Sequence, residues 1–318
     1  MKLLSLVCPA YNEESVIEAF YIELARCLKS LSDRYEFEII FVVDKSQDRT
    51  LDILRGVAAS DHRVKILALS TRFGHQMSLV AGIDHCRGDA VVMMDTDLQQ
   101  PPSLIPTLIA EYERGYDIVH TIRTKTANVG FFRSAASSLF YKGINKISEV
   151  RIEENAADFR LISKKVVKVF QTQIRERNQF LRGLLGWVGF KSTTVKYEAS
   201  ERHSGRSKYN FSKLLRFAAN GVVSFSKKPL QAAIYFGTIF ACLGFLLAAY
   251  TAVDYYTGGS YPPGWATLAV VTSVFSGIQL IFMGIFGEYI GAIFDEVKGR
   301  PRYIIEENIG FDEERQRS

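Results

Sequence analysis

AVVMMDTDLQQPP, residues 90–102, has the pattern of a buried strand that ends in two carboxylates and is followed by the start of a helix. Carboxylates at the carboxyl end of a strand lie where open α/β sheets bind their ligands. Asp95 and Asp97 leave the strand two residues apart, so both can reach one hard cation that also bridges diphosphate oxygens. The alternative is a solvated turn, because D-x-D alone is a common pattern.

Before Lys227, short apolar runs alternate with amphipathic stretches, as strands and crossover helices do around a mostly parallel sheet. Several runs are apolar throughout, which is expected of strands that are covered on both faces. The predicted strands are Leu3–Val7, Phe37–Val43, Val64–Leu69, Ala90–Met94 and Asp117–Ile122. The predicted helices include Glu13–Leu31, Gln76–Cys86 and Ser103–Arg114. The sequence therefore predicts an α/β domain.

Two long segments without charge follow, Leu230–Val253 and Trp265–Gly287. At about 1.5 Å per residue, each can cross a hydrocarbon core of roughly 30 Å, and the alternative is a pair of buried core helices. Lys and Arg flank the outer ends, whereas the connection Asp254–Gly264 has neither, so both chain ends are predicted to be cytoplasmic. The segment Tyr209–Ser226 is predicted to be a basic amphipathic helix in the membrane interface, or alternatively a core helix.

The net charge of +5 is mild and fits a protein near anionic headgroups or phosphate ligands. The four cysteines are scattered, without a CxxC pair or metal-ligand spacing. This disfavours a disulfide framework and favours the reducing side of a membrane. No nucleic-acid partner is expected.

Three further segments place polar residues at predicted strand ends. CPAYNEE, residues 8–14, puts Tyr11 at a strand end and Asn12 at the N-cap of a helix. VVDKSQDRT, residues 42–50, brings Asp44 to the same edge of the sheet. STRFGH, residues 70–75, leads into a helix whose N-terminus can face phosphate. Each segment taken alone is also explained as a helix cap.

Four such segments in this order resemble the family-2 glycosyltransferases of the GT-A fold. They are most similar to the polyisoprenyl-phosphate glycosyltransferases, which include dolichol-phosphate mannose synthases and bacterial undecaprenyl-phosphate glucosyltransferases. The resemblance covers nearly the whole chain and continues through AADFRL (156–161), FLRG (180–183), HSGRSKY (203–209), FSKKPL (225–230) and the C-terminal hairpin. It implies a GT-A domain over residues 1–208, a juxtamembrane helix over 209–228, two transmembrane helices within 229–297 (about 230–253 and 265–287) and a cytoplasmic tail over 298–318.

The resemblance also implies roles for individual residues. The nucleotide sugar is assigned to Pro9, Tyr11, Glu13, Asp44 and Asp95; Mg²⁺ or Mn²⁺ to Asp95, Asp97 and Gln99; and catalysis to Asp97 and Asp158. Two positions depart from the family pattern. The family usually has two acids and a glycine where this chain has Val43-Asp44-Lys45, and Arg-Asn where it has Thr71-Arg72.

The implied acceptor is a lipid phosphate, whose second pKa of about 6 makes it mostly dianionic at neutral pH. It needs little help from a general base, but it needs cations that hold it in line with the anomeric carbon. Asp158 is therefore expected to orient a cation or a donor hydroxyl as readily as to act as a base. The candidate phosphate-binding residues are Arg123, Lys125, Arg133, Arg202, Arg206 and Lys208, each of which can also be ordinary surface charge.

The predicted reaction is inverting transfer of a hexose, with glucose from UDP-glucose preferred, to undecaprenyl phosphate at the cytoplasmic membrane face. GDP-mannose, UDP-N-acetylglucosamine and a UDP-aminoarabinose derivative remain possible donors. The rival predictions are a processive polysaccharide synthase and a non-catalytic membrane subunit that binds nucleotide or lipid. Small residues in the second span, Gly284, Gly287 and Gly291, predict a homo-oligomer.

Overall fold

The computed structural model describes residues 1–124, 156–177, 181–198, 228–257 and 264–311. The chain forms two compact units. The first holds an eight-stranded sheet with its helices, and the second holds two long helices.

The first part of the sheet is a parallel core. Its elements are β1 (Lys2–Ala10), α1 (Ile17–Lys29), β2 (Tyr35–Val43), α2 (Thr50–Ser60), β3 (Val64–Leu69), α3 (His75–His85) and β4 (Ala90–Met93). β1 pairs in parallel with β2 and with β4, and β2 pairs in parallel with β3. Their apolar side chains are buried, as expected of strands that helices cover. The first four predicted strands are confirmed, and β1 and β2 are longer than predicted.

The second part of the sheet is mixed. Its elements are a 3₁₀ helix (Pro102–Leu104), α4 (Ile105–Glu113), β5 (Ile118–Arg123), β6 (Ala156–Ser163), α5 (Lys164–Thr172), α6 (Leu181–Trp187), β7 (Ser192–Tyr197) and, near the C-terminus, β8 (Ile305–Ile309). β6 is antiparallel to β4 and β5, and β8 is antiparallel to β3. The strand order is β7-β5-β6-β4-β1-β2-β3-β8. This mostly parallel sheet confirms the predicted α/β fold of the GT-A type.

The register brings the carboxyl ends of β1, β2 and β4 to one edge of the sheet. Ala10 lies opposite Val43, and Val7 lies opposite Met93. The loops that follow these strands, which carry Tyr11, the β2–α2 residues and the acidic pair, therefore meet at that edge.

The helical prediction at Asn12 was wrong. Asn12 has a φ of 54°, which lies in the left-handed region, and α1 begins only at Ile17. The Asn12 side chain accepts a hydrogen bond from the Gln47 amide at 2.8 Å instead of capping the helix. A contact remote in sequence thus takes the oxygen that the local pattern assigned to a cap.

The second unit contains α7 (Lys228–Tyr256) and α8 (Trp265–Val297). The rings of Phe240 in α7 and Phe275 in α8 meet edge to face, with centroids 5.0 Å apart. By length and composition, one stretch among the described residues can cross a membrane, the 24 residues Val274–Val297, none of them buried. In α7 the apolar stretch Leu230–Leu246 is shorter, so the span Leu230–Val253 stays a prediction.

Candidate active site

The acidic pair lies directly after β4. Thr96, between the two acids, donates its hydroxyl to the Pro9 carbonyl at 3.1 Å, which ties this loop to the end of β1. Gln100 holds Asp95 from two sides: its Oε1 accepts the Asp95 amide at 2.8 Å, and its Nε2 donates to Asp95 Oδ2 at 2.5 Å. Asp97 accepts the Gln99 amide at 3.1 Å. Leu98, with a φ of 61°, turns the chain between them.

The loops after β1 and β2 are joined by hydrogen bonds. The Glu13 amide donates to Thr50 Oγ1 at 2.9 Å, and the Glu14 amide donates to Asp48 Oδ2 at 3.1 Å. In the same region the guanidinium of Arg72 lies 4.2 Å from the centre of the Tyr11 ring, a cation–π contact. Tyr11 and Glu13, both predicted to bind the nucleotide, are therefore fixed at the ligand edge of the sheet.

Asp44 shapes the loop that precedes α3. Its carboxylate is buried and accepts the Phe73 amide at 2.8 Å and the Gly74 amide at 2.9 Å. Gly74 has a φ of 90°, which side chains larger than hydrogen rarely adopt. The next residue is His75, the first of α3. The nucleotide contact of Asp44 stays a prediction. In the structure this carboxylate also holds the backbone that leads into His75.

His75 lies between two carboxylates. Its Nε2 is 3.4 Å from Asp95 Oδ1 and 3.3 Å from Asp158 Oδ2. Burial alone would lower the pKa of His75, but the hydrogen bond to Asp158 and the charge of Asp95 raise it above the ordinary value. Burial raises the pKa of Asp95 to about 6, against the charge of His75 and with the added effect of Asp158 and Asp97.

Asp158, in β6, is surrounded by cations. Arg182 of α6 donates from Nε to Oδ1 at 2.9 Å and from Nη2 to Oδ2 at 3.0 Å, and the fully buried Arg160 donates to Oδ1 at 3.1 Å. Burial works to raise the pKa of Asp158, but the hydrogen bond with His75 and the charge of Arg182 hold it well below the usual range. A carboxylate in this state is a poor proton acceptor and a strong anchor for the surrounding cations.

Arg123 ends β5 on the other side of the acidic pair. Its Nη2 donates to Gln99 Oε1 at 3.2 Å. Tyr197 ends β7, which lies beside β5, and Arg123 is opposite Tyr197 in that pair. The predicted acceptor cation Arg123 is thus brought next to the predicted metal ligand Gln99, whose carbonyl oxygen it already engages.

In the part of the chain that the structure describes, three buried side-chain atoms lack a hydrogen bond of good geometry: Asp95 Oδ1, Gln99 Nε2 and Tyr197 Oη. The first has His75 Nε2 at 3.4 Å, and the third lies near the charge of Arg123. All three belong to this site. Buried polar atoms without a partner are uncommon in folded proteins and point to a bound group that completes them. Among the described residues, no three or more His, Cys, Asp or Glu side chains form a metal-binding group. The metal site predicted at Asp95, Asp97 and Gln99 therefore stays a prediction.

Five predicted acceptor cations lie outside the described residues, namely Lys125, Arg133, Arg202, Arg206 and Lys208. The predicted interfacial helix Tyr209–Ser226 lies outside them as well. Conversely, Arg160, Arg182 and Tyr197 belong to the site without having been predicted as site residues. The segments that carry Arg160 and Arg182 were recognised as motifs. In the sequence alone, however, these two arginines look like ordinary surface residues, because their contact with Asp158 forms only in the folded protein.

Comparison with known proteins finds both structural neighbours and sequence relatives. The crystal structure of residues 1–349 of S. aureus TarS in complex with UDP-GlcNAc aligns with a TM-score of 0.46 and 17% identity, over 71% of this chain and 67% of that one. The SfII prophage-derived bactoprenol glucosyl transferase of Shigella flexneri is 41% identical over 305 residues, which cover 96% of this chain and 98% of its own. An uncharacterized glycosyltransferase of Bacillus subtilis (strain 168) is 40% identical over 311 residues, covering 98% and 95%.

The model of glycosyl transferase family 2 matches residues 5–170, from within β1 to α5. This range contains the acidic pair, His75 and Asp158. By this match and by the identity with its relatives along nearly the full length, the chain is a glycosyltransferase and belongs to glycosyl transferase family 2.

Proposed function

We propose that this glycosyltransferase moves glucose from UDP-glucose to a polyisoprenyl phosphate, with undecaprenyl phosphate the preferred lipid. The observation that carries the proposal is the buried Asp95 Oδ1, which has no hydrogen-bond partner among the described residues and lies beside Asp97 at the ligand edge of the sheet. The acceptor and the sugar are supported by the S. flexneri relative, whose name states a bactoprenol glucosyl transferase.

Asp95 and Asp97 are the residues that would hold Mg²⁺ or Mn²⁺, because carboxylate oxygens suit hard divalent cations and the buried Asp95 Oδ1 accepts no hydrogen bond here. Such an ion, when bound, neutralises charge on the departing nucleoside diphosphate. Gln99 is the weaker ligand of the predicted three, since its carbonyl oxygen already accepts from the cationic Arg123. Its unpartnered Nε2 can instead donate to an oxygen of the donor.

The donor nucleotide would lie against the loops after β1 and β2. Pro9, Tyr11 and Glu13 come from the first loop, and Asp44 holds the neighbouring backbone at Phe73 and Gly74. Arg72 on the face of Tyr11 adds a positive charge to this region, where a diphosphate needs one.

The acceptor phosphate needs orientation more than deprotonation. A dianionic phosphate oxygen attacks the anomeric carbon while the bond from that carbon to the UDP oxygen breaks, and the bonding electron pair leaves with UDP. No proton has to be removed, which agrees with the lowered pKa of Asp158. Besides Arg72, the cations Arg182, held on Asp158, and Arg123 can orient the two phosphate groups. The His75 ring, which also lies on Asp158, can donate a hydrogen bond to them. One displacement inverts the anomeric configuration and gives a β-linked lipid.

The same proposal includes the membrane anchor. The predicted spans Leu230–Val253 and Trp265–Gly287 would cross the bilayer, the second overlapping the apolar stretch Val274–Val297 of α8, and the catalytic domain with both chain ends would be cytoplasmic. Gly284, Gly287 and Gly291 leave open space within 4 Å of where a Cβ would stand, so a second copy can approach α8 closely there.

The test is a transfer assay with the purified full-length protein in detergent. It uses undecaprenyl phosphate, a panel of radiolabelled nucleotide sugars, and Mn²⁺, Mg²⁺ or EDTA. We expect a β-linked glucosyl lipid from UDP-glucose, no product in EDTA, and recovery of product when the metal is restored. Asp97→Asn should fail with either metal, whereas Asp52→Asn, on the exposed side of α2, should behave as wild type.

Each part of the proposal can fail separately. Transfer from another nucleotide sugar in preference to UDP-glucose would overturn the donor. Full activity in EDTA would contradict the proposed metal dependence. An α-linked product would contradict a single displacement at the anomeric carbon. Absence of transfer to any polyisoprenyl phosphate would overturn the acceptor.

A further inference from the structure

The segment Arg300–Phe311, which we call the C-terminal strap, packs on the catalytic unit. Only Lys298 and Gly299 separate it in sequence from the end of α8. It contributes β8, the edge strand beside β3, and the Ile304 carbonyl accepts the Ser70 amide at 2.9 Å. The family resemblance implies a tail over residues 298–318, whereas residues 305–309 pair with β3 in the structure. The strap thus belongs to the sheet.

The strap meets the C-terminal end of α3 at Asp84. Arg302 Nη2 donates to Asp84 Oδ2 at 2.8 Å, and the Tyr303 hydroxyl donates to the same oxygen at 3.0 Å. The side chains of Arg302 and Asp84 are only 11% and 10% exposed, so water screens this ion pair little. The ring of His85 lies edge-on to Tyr303, with centroids 6.0 Å apart. These contacts fix the end of α3 from outside.

Helix α3 carries this constraint to the active site as a rigid element. It is one helix of 11 residues, with Asp84 in its last turn and His75 at its first position. Its residues from Ser78 to Ile83 are buried, and a Cβ at Gly82 would overlap the side chain of Val7 in β1. A helix packed this closely shifts as a unit, so a displacement of Asp84 also displaces His75.

The strap also touches the two loops that surround His75. Ser70, which is bonded to Ile304, begins the loop that ends at Gly74. Lys45, directly after Asp44, forms an ion pair with Glu306 of β8 at 2.6 Å. The loop after β2, which carries Asp44, and the loop before α3, which ends at Gly74, therefore both contact the strap. The strap lies more than 200 residues later in the sequence.

We propose that Arg302 and Tyr303 are positioning residues for sugar transfer, acting through Asp84 and α3 on His75. The inference rests on the proposed function for the reaction that it affects. Besides pairing with β3, the strap then keeps His75 in position between Asp95 and Asp158.

The experiment compares Arg302→Gln and Tyr303→Phe with Glu307→Gln in the full-length protein. Glu307 is the matched control, because it also lies on the strap but pairs with the exposed Arg55 of α2, away from the site. We expect kcat to fall about tenfold for Arg302→Gln and about threefold for Tyr303→Phe, with KM for the acceptor unchanged. Glu307→Gln should stay within about twofold of wild type.

A double-mutant cycle tests the route through His75. If the strap acts on His75, Arg302→Gln should cost less than about twofold in a protein that already carries His75→Ala. Deuterium uptake of residues 70–79 reports on the same coupling without any substrate, and it should rise in Arg302→Gln and not in Glu307→Gln.

The outcomes separate the two proposals. Full additivity of Arg302→Gln and His75→Ala, or uptake at residues 70–79 that is equal in Arg302→Gln and wild type, would overturn the positioning role. Wild-type protein that transfers no sugar would overturn the proposed function, and the deuterium measurement would still decide whether the strap fixes α3. If Arg302→Gln does not fold, Tyr303→Phe, which removes a single hydroxyl, provides the comparison.

Discussion

Arg182 binds Asp158 with two parallel hydrogen bonds, Nε to Oδ1 at 2.9 Å and Nη2 to Oδ2 at 3.0 Å. Such a bidentate pair fixes both groups in one plane. Because Arg160 and His75 contact the same carboxylate, Asp158 acts as the common anchor of two guanidinium groups and one imidazole ring. We therefore expect Asp158 to hold these groups in place more than to transfer a proton.

Asp158→Asn should lower both stability and turnover. The variant removes the carboxylate charge to which the fully buried Arg160 donates, which we expect to cost about 3 kcal/mol of the free energy of unfolding. Turnover should fall about 100-fold, because Arg182 and His75 lose their orientation. Thermal unfolding and the transfer assay measure the two effects. A stable variant with normal turnover would contradict the anchoring role.

The pH dependence of that stability loss has a defined sign. The pKa of Asp158 is lowered in the folded protein, so its contribution is complete above the ordinary carboxyl pKa of about 4 and fades as the pH falls below it. The difference between wild type and Asp158→Asn should therefore be full at neutral pH and shrink in acid. A difference that grows in acid would contradict it.

Asp95→Asn should stabilise the metal-free protein while abolishing transfer. The pKa of Asp95 is raised to about 6, so the folded state holds its proton more tightly than the unfolded state does. Stability is then lost as the pH rises from about 4 to about 6, and the amide avoids a loss of up to about 3 kcal/mol above that range. Unfolding at pH 5 and pH 8 without metal checks this. Mn²⁺ should stabilise wild type and leave Asp95→Asn unchanged.

Asp44→Asn should weaken donor binding through the backbone. The amide oxygen can replace one acceptor for Phe73 or Gly74, but the amide nitrogen faces the other N–H and leaves it unpaired, at a cost of about 1–3 kcal/mol. We expect KM for the nucleotide sugar to rise about tenfold as the loop before His75 loosens. Asp52→Asn is the control, since Asp52 is exposed and pairs with Arg55. Equal KM values in the two variants would contradict the assignment.

Gly82→Ala should destabilise the catalytic unit by about 1–3 kcal/mol, because the added Cβ overlaps the Val7 side chain. Gly56→Ala in α2 is the matched control. A Cβ there meets nothing within 4 Å, so this change should be neutral or stabilise by up to about 1 kcal/mol. Thermal unfolding of both variants gives the comparison. Equal melting temperatures would show that α3 does not pack closely on β1.

The sequence predicts the parallel core and the acidic pair because both are local features. The strands β1 to β4 are mostly apolar, with few polar positions such as Ser5, Glu38 and Lys65, and the carboxylates follow the fourth strand directly. The three strands that the sequence does not predict have polar positions: β6 carries Asp158 and Arg160, β7 has the sequence STTVKY, and β8 has the sequence IEENI with alternating exposure. Their stability comes from partners on other elements, which no local pattern contains.

The same distinction separates the residues of the site. Asp95 and Asp97 stand out through their spacing, whereas Arg182 gains its task only when α6 approaches β6. Asn12 shows the converse, because a good local capping pattern was overridden by the Gln47 amide. The role of a charged or capping residue can thus be predicted when its partner is near in sequence. It cannot be predicted when the partner comes from a distant part of the chain.

The position of β8 has a practical consequence for handling this protein. In the described part of the chain, β8 covers the outer edge of β3, and its removal would leave the hydrogen-bonding groups of a buried, apolar strand open to any other chain. Exposed edges of this kind recruit further strands and lead to aggregation. A protein truncated after Gly299 is therefore expected to precipitate even if its membrane helices insert correctly, and affinity tags are better attached at the N-terminus.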